Sequence, residues 1–140
     1  MRHRPLAKDA GLTLLELLVV ITILVVLTVA IGTVALNYLD RAKGDAARLQ
    51  LNQIEAGLDL YRLDIGRYPT ESEGLEALFE RPAGLDTWRG PYVKNAEALV
   101  DPWQEAFIFR APGQDGPYDL TSYGADKTEG GEGDAADITN

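Results

Sequence analysis

The chain of 140 residues contains no cysteine and a single histidine, His3. Without cysteine, a disulfide, a cysteine-ligated zinc site and a thiol nucleophile are all excluded. His3 lies in a short basic segment at the N-terminus, so the rest of the chain has no histidine for catalysis or metal binding. These absences argue against an enzyme. The lack of cysteine also means that a small globular domain in this chain needs a source of stability other than a disulfide, such as a bound metal ion.

Basic residues are few as well. The 13 lysines and arginines face 22 acidic residues, which gives a formal net charge of -9. The acidic excess is larger still without the basic N-terminal segment, residues 1–11. Because nucleic acids are bound mainly through their phosphates, we expect no nucleic acid partner.

A long apolar run dominates the first third of the chain. Residues 17–36 are twenty consecutive residues without a formal charge. At about 1.5 Å of helical rise each, they match a hydrocarbon core of roughly 30 Å. We therefore predict a single transmembrane helix, with the basic residues 1–11 in the cytoplasm and the remainder on the far side. An ordinary secretory signal fits less well, because the run is longer than a typical signal core and no small-residue cleavage site follows it.

Glu16 lies one residue before this run. An unpaired carboxylate near the apolar layer costs on the order of 3 kcal/mol by insertion scales, so Glu16 should have a partner. The nearest candidate is an α-amine at Leu12, one helical turn away, if the chain is cut after Gly11.

The segment G-L-T-L-L-E-L-L-V-V-I at residues 11–21 resembles the processing and assembly signature of type IV pilins and pseudopilins. This resemblance implies cleavage after Gly11 by a prepilin peptidase, methylation of the Leu12 amine, and a role for Glu16 in polymerisation. Leu12 replaces the phenylalanine that is usual at this position and keeps the site apolar.

Helical periodicity continues beyond the apolar run. Apolar residues recur at spacings of three and four, which makes one stripe along a helix. They are Leu51, Ile54, Leu58, Tyr61 and Ile65. Gly66 then offers a C-terminal cap, so the helix should end near residue 65. We expect the stripe to pack against the chain's own head; a coiled-coil seam is the less favoured alternative.

Further motifs indicate a more specific family within the pilin-like proteins. The residues D-I-G-R-Y-P-T (64–70) followed by G-L-E-A-L (74–78), with G-P-Y (90–92) and D-P-W (101–103), resemble elements of the major pseudopilins of type II secretion. Gln104 and Glu105 replace the glycine and asparagine that usually follow D-P-W. Glu73, Glu76 and Glu80 have helical spacing, so we interpret them as a solvated face and not as catalytic carboxylates.

Alternating residues near the C-terminus predict a β-hairpin. Phe107 and Phe109 alternate with Ala106, Ile108 and Arg110, and a Pro- and Gly-containing turn follows. Tyr118, Leu120 and Ser122 then alternate with Asp119, Thr121 and Tyr123. We expect these aromatic side chains to belong to the core.

The tail combines acidic residues with glycines. Calcium binds oxygen ligands, and glycines let main-chain carbonyls turn inward, although the spacing is not that of an EF-hand. From composition alone, a solvated acidic tail is an equal alternative. The tail also resembles the calcium-bound loop of the major pseudopilins, at Ser122, Gly124, Asp126, Asp137 and Ile138.

This resemblance implies a structural Ca²⁺ held by Asp126 and Asp137, with Asp134 as a substitute ligand and the main-chain carbonyls of Leu120 and Tyr123 completing the shell. Lys127 and Ala136 depart from the family pattern, which has a glycine and commonly an aspartate at these two positions.

Together, the motifs predict an α+β, type IV pilin-like fold. We expect a cleaved leader (1–11), a transmembrane and assembly half of the helix (12–39), and a periplasmic head (40–140) that includes the second half of the helix and a small antiparallel sheet. The resemblance implies a major pseudopilin: a non-enzymatic subunit of the bacterial inner membrane that is polymerised into a periplasmic pseudopilus to help export folded proteins.

Its implied partners are further copies of itself, a prepilin peptidase, minor pseudopilins and the inner-membrane assembly platform. Two alternatives remain: a type IV pilin of an adhesion, motility or DNA-uptake fibre, and a monomeric membrane-anchored calcium-binding domain.

Overall fold

The computed structural model describes residues 13–140, apart from the side chains of Thr33, Val34, Asn37 and Asp134. The predicted leader and Leu12 lie outside the described residues. The chain divides into two compact units, of which the first ends at Tyr38 and the second comprises Leu39–Asn140.

Helix α1 spans Leu14–Ile65 and is 52 residues long. It ends where the sequence predicts: Gly66 adopts a φ of 87°, in the left-handed region that favours glycine. The Gly66 N–H donates to the Arg62 carbonyl at 2.7 Å, which satisfies one of the last carbonyls of the helix.

The head, Leu39–Asn140, has one hydrophobic core. Leu51, Ile54, Leu58 and Tyr61 of α1 are at most 4% exposed, which confirms that the predicted stripe packs within the chain. Residues from the sheet and loops cover this stripe: Leu75, Leu78, Val93, Leu99, Phe107, Tyr118, Leu120 and Ile138. The stripe is therefore not a free coiled-coil seam.

A three-stranded antiparallel sheet forms the C-terminal half of the head. Strand β1 (Ile108–Arg110) pairs with β2 (Asp119–Ser122), with Phe109 opposite Leu120, and β2 pairs with β3 (Ile138–Thr139). The predicted hairpin is β1–β2. The sequence analysis did not predict β3, which is only two residues long and too short for alternation to reveal.

Short 3₁₀ helices connect these elements. They span Leu75–Leu78, Ala96–Leu99, Gly124–Asp126 and Gly133–Ala135. The first begins after Gly74 and has no side-chain cap.

Thr70 and Glu73 instead cap each other in the preceding turn. The Glu73 N–H donates to Thr70 Oγ1 at 3.3 Å, and Glu73 Oε2 accepts from the Thr70 N–H at 2.8 Å. Arg67 donates to both carboxylate oxygens of Glu73, at 2.6 and 2.7 Å. Glu73 thus ties the end of the helix to the following turn, and no catalytic role is needed to explain this residue.

The Arg67–Glu73 pair predicts a change in acid stability. Hydrogen bonds from Arg67 lower the pKa of Glu73 from 4.5 to about 2. A carboxyl whose pKa is depressed by folding adds stability above its unfolded pKa, and that stability is lost as the pH falls through its folded pKa. We expect Glu73→Gln to lower the free energy of unfolding at neutral pH by about 1 kcal/mol, a value discounted for the exposure of Arg67.

The difference between Glu73→Gln and the parent should disappear as the pH falls from 4.5 to about 2. Denaturant unfolding at a series of pH values measures it. Glu71→Gln is the matched control, because Glu71 is exposed in the same turn. An equal response of the two variants to pH would contradict the role given to Glu73.

Candidate assembly helix and C-terminal loop

The start of α1 is capped by a side chain. Thr13 Oγ1 accepts a hydrogen bond from the Glu16 N–H at 3.1 Å, and the Thr13 carbonyl accepts from the Leu17 N–H at 3.1 Å. Threonine is a preferred N-cap because its side chain satisfies an otherwise free N–H of the first turn. Glu16 therefore lies in the first turn of the helix, where its side chain is exposed. The other predicted processing residues, Gly11 and Leu12, lie outside the described residues.

The segment Leu14–Gly32 is long and apolar enough to cross a membrane, and none of it is buried inside the chain. Its two threonine side chains are satisfied within the helix. Thr22 Oγ1 donates to the Leu18 carbonyl at 2.8 Å, and Thr28 Oγ1 donates to the Leu24 carbonyl at 2.7 Å. Such bonds would lower the cost of placing these hydroxyl groups in lipid.

The C-terminal loop connects β2 to β3 and brings two of the predicted metal ligands to the same turn. Asp126 Oδ1 accepts from the Thr128 N–H at 3.1 Å. Asp137 Oδ2 accepts from the Gly130 N–H at 3.0 Å, and the Asp137 N–H donates to the Gly130 carbonyl at 3.2 Å. The other oxygen of Asp137, Oδ1, is buried and has no hydrogen-bond partner among the described residues.

Glycine is required inside this loop because backbone groups converge on it. A Cβ on Gly131 would collide with the Ala135 carbonyl oxygen and would lie 3.0 Å from Asp126 Oδ2. A Cβ on Gly124 would lie 3.2 Å from the Ala136 carbonyl oxygen. Both glycines have positive φ, at 87° and 68°. The turn therefore gathers carboxylate and carbonyl oxygens, the ligand type that calcium prefers.

The other predicted ligands, Leu120, Tyr123 and Asp134, lie in different structural surroundings. The Leu120 carbonyl already accepts from the Asn140 N–H at 3.2 Å, within the sheet. Tyr123 immediately precedes the 3₁₀ helix Gly124–Asp126, and the side chain of Asp134 lies outside the description. Among the described side chains, no three acidic residues or histidines lie close enough to form a metal site by themselves. A cation here would need main-chain oxygens as well.

A buried polar link joins this loop to the D-P-W turn. Asp101 and Ser122 are 2% and 1% exposed, and Ser122 Oγ donates to Asp101 Oδ2 at 2.5 Å. Ser122 Oγ in turn accepts from the Gly124 N–H at 3.2 Å. Asp101 Oδ1 accepts from the N–H groups of Trp103 and Glu105, both at 2.9 Å. Every oxygen of this buried pair is thus satisfied, as the interior requires.

Two departures from the family pattern contact each other. Lys127 Nζ lies 2.6 Å from Glu105 Oε1, and both side chains are about half exposed. Lys127 and Gln104 are the non-glycine residues of the described chain with positive φ, at 58° and 68°. The turn and the loop therefore keep the conformations that glycine favours, and a salt bridge joins them. Each departure is visible in the sequence by itself, but no sequence pattern pairs two residues 22 positions apart.

Two family models match the chain. One is "Type II secretion system (T2SS), protein G", over residues 34–140, and the other is "Prokaryotic N-terminal methylation motif", over residues 6–32. The first covers the head, and the second covers most of the apolar half of α1 with the residues before it.

Several full-length relatives match as well. The type II secretion system core protein G of Pseudomonas aeruginosa is 39% identical over 137 residues, which cover 95% of each chain. Its counterpart from Vibrio cholerae is 37% identical over 140 residues, covering 98% of this chain and 94% of the relative.

The crystal structure of the major pseudopilin from the type 2 secretion system of enterohaemorrhagic Escherichia coli is also similar. Its TM-score is 0.62 at 32% identity, and the match covers 75% of this chain and 91% of that one. A long helix with an exposed apolar half and a small antiparallel head defines the pilin-like class. Within that class the chain belongs to the type II secretion system protein G family. The relatives support this family and not the type IV pilin alternative.

The Lys127–Glu105 contact gives a testable coupling. We expect a double-mutant cycle of Glu105→Gln and Lys127→Gln to yield a coupling of about 0.5 kcal/mol, because an exposed pair in good geometry is worth only this much. The coupling should fall in high salt. Denaturant unfolding of the four proteins measures it.

The pair Asp45 and Arg48 is the matched control. Its atoms are 3.4 Å apart and its side chains are 81% and 67% exposed, so its coupling should be close to zero. A Glu105–Lys127 coupling no larger than that of the control would show that the contact does not hold the loop.

Proposed function

We propose that this protein is the major structural subunit of the pseudopilus of a type II secretion system. The observation that carries the proposal is the division of α1. Its head half is fastened to a core by a buried stripe, while its apolar half, Leu14–Gly32, has none of its surface buried in the chain. A helix with such an apolar surface must be covered by lipid or by other copies of the chain. Membership of the protein G family supports lipid as the cover before assembly and other copies as the cover within the filament.

In this proposal the subunit is stored in the bacterial inner membrane with its head in the periplasm. A prepilin peptidase cuts after Gly11 and methylates the amine of Leu12. The mature chain is then added to a helical filament whose growth helps to move folded proteins across the outer membrane. Minor pseudopilins and an inner-membrane platform assist assembly. The subunit contributes packing surfaces and one charge, and it catalyses no reaction.

Glu16 supplies that charge. In the isolated chain its carboxylate is exposed at the first turn of α1, near the N-terminal end of the apolar segment Leu14–Gly32. Addition to a filament would move it from the membrane surface into an apolar core, where an unpaired charge is costly. The amine of Leu12 on a neighbouring copy carries the opposite charge and lies at the same end of its helix. Pairing the two would select subunits that have been processed and are in register.

Removing the charge of Glu16 should stop assembly without affecting processing. Breaking a buried pair costs about 3–5 kcal/mol, because it leaves the partner unpaired. We expect Glu16→Ala to be inserted and cleaved, but to form no filaments and to support no secretion. Intact-mass spectrometry should find a mature chain that begins with methylated Leu12 in both the parent and the variant.

Glu16→Asp is the control, because it keeps the charge at the same position and should retain part of the assembly. Wild-type amounts of filament from Glu16→Ala would show that the carboxylate is incidental. A parent chain that still begins at Met1 would remove the basis for the whole proposal.

We also propose that the C-terminal loop binds a structural Ca²⁺. Support comes from the two carboxylates that meet at the turn around Gly130 and Gly131, and from the buried oxygen of Asp137, which lacks a partner among the described residues. Asp126, Asp137 and nearby main-chain carbonyls would hold the ion, with Asp134 as a further ligand. Bound there, the cation would neutralise part of the acidic tail and close the loop without a disulfide.

Calcium should therefore stabilise the head. At a free concentration of about 100 times the dissociation constant, a ligand of the folded state adds about 2.7 kcal/mol, and chelation removes it. Trp88 and Trp103 are the two tryptophans of the chain and both lie in the head, so their fluorescence reports its melting in the full-length protein in detergent.

Asp126→Ala and Asp137→Ala should each lose most of this calcium-dependent shift. Glu129→Ala and Glu132→Ala are the controls: both residues are exposed in the same loop and should keep it. Identical melting of the parent with calcium and with chelator would refute the site.

A further inference from the structure

Helix α1 carries a second apolar stripe within the head, in addition to the one that forms the core. Its members recur at spacings of three and four, the heptad pattern of helices that pack against a partner. They are Leu39, Ala42, Ala46, Leu49, Gln53, Ala56, Leu60 and Leu63, and we call them the outward stripe. At 100° per residue, it lies about 140° around the helix from the core stripe.

Every member of the outward stripe is exposed. Leu39, Leu49, Leu60 and Leu63 are 51%, 60%, 51% and 80% exposed. No charged residue belongs to the stripe, although the other faces of this half of the helix carry charges of both signs. Single exposed leucines are common on protein surfaces, but an uncharged stripe about 36 Å long marks an interaction surface.

The stripe forms one wall of a groove. This groove has a volume of about 540 Å³, and the loops of the head form its other wall. The lining residues include Ala46, Leu49 and Gln53 from the stripe and Glu97, Val100, Asp101, Pro102 and Gln104 from the facing loops. Three alanines on the stripe leave room for another backbone to approach closely.

One buried polar atom beside this groove lacks a partner among the described residues. Gln50 lines it and donates through Nε2 to the Val100 carbonyl at 3.2 Å. Gln50 Oε1 is buried and accepts no hydrogen bond from any described residue. Most buried polar atoms are paired, so this amide is incompletely satisfied in the isolated chain, at the point where the stripe meets the facing loops.

We infer that the outward stripe and its groove seat a second copy of this chain in the filament. This inference rests on the proposed function and names the head surface through which neighbouring subunits meet. The stripe lies on the same helix as the apolar segment Leu14–Gly32, for which the proposal already requires a covering by other copies. The stripe itself carries no charge, so two strongly acidic heads meet less repulsion along it than along the charged faces of the helix, and the acidic residues of the groove, Glu97 and Asp101, lie on the facing loops.

The contact must be between different surfaces of the two copies. If two stripes paired with each other, they would close a symmetric dimer and stop growth, whereas a repeated contact between unlike surfaces extends a filament. A single helix stripe buries less area than a stable dimer needs, so the isolated head should stay monomeric. The contact should contribute to binding between subunits only when their apolar segments, Leu14–Gly32, are already assembled.

The test compares two full-length variants with the same change in net charge. Leu49→Glu combined with Leu60→Glu puts two carboxylates on the outward stripe. Arg48→Glu alters the charge equally at an exposed position off the stripe, and loses only a 3.4 Å contact with Asp45. We expect the double variant to lower the yield of filament by about tenfold or more, since it buries unpaired charges, while Arg48→Glu stays near the parent. Both variants should melt like the parent, because the altered side chains are exposed.

Photo-cross-linking with the parent backbone gives a second measurement. A benzophenone amino acid at position 49 should yield an adduct of two copies of this chain in assembled samples, while the same probe at position 48 should yield little. Equal filament yields from the two variants, or adducts at position 49 mainly with lipid or another protein, would overturn the inference. A parent chain that forms no filament at all would instead contradict the proposed function, so the two failures are distinguishable.

Discussion

The packing of one buried stripe of α1 against the head is the contact on which the rest of this structure depends. Leu51, Ile54, Leu58 and Tyr61 are almost fully buried, and the sheet and loops are folded around them. Within the described residues the head contains no other α-helix, so α1 forms one side of its hydrophobic core. In the proposed function, the same helix lies in a membrane at one end and packs against the folded head at the other.

A small head can bury only a limited apolar area. Polar contacts between its segments therefore supply part of the stabilisation that a larger core would supply in a larger domain. The end of the helix is tied down by Arg67 and Glu73, and the D-P-W turn is joined to the C-terminal loop through Asp101 and Ser122. Lys127 and Glu105 add a second, exposed link between the same two segments. In our account a calcium ion would provide a third link. It would bind the part of the loop where acidic side chains otherwise repel one another.

Features set by neighbours along the chain could be predicted from the sequence. The buried stripe and the β1–β2 hairpin follow from periodicity, the end of α1 at Ile65 follows from the cap at Gly66, and the fold class follows from motifs. Contacts between distant segments could not be predicted in this way. Asp101 with Ser122 and Glu105 with Lys127 are each about twenty residues apart, and no period in the sequence links them.

The outward stripe shows a different limit. Its heptad spacing is present in the sequence, but it became informative only once the structure showed that every member is exposed while the core stripe is buried. Two apolar stripes on one helix cannot be assigned to inside and outside by spacing alone. The candidate metal loop is a similar case, because composition suggested calcium and an acidic tail equally, and the convergence of Asp126 and Asp137 on one turn required coordinates.

The central claim is that this helix and head are built to be covered by further copies of themselves. Electron cryomicroscopy of filaments assembled from the full chain tests it most directly. Our account predicts that each Glu16 carboxylate lies within about 4 Å of the Leu12 amine of a neighbouring copy, the distance of an ion pair. It also predicts that Leu49 and Leu60 are buried against another copy. Filaments in which Glu16 faces solvent and these leucines stay exposed would contradict it.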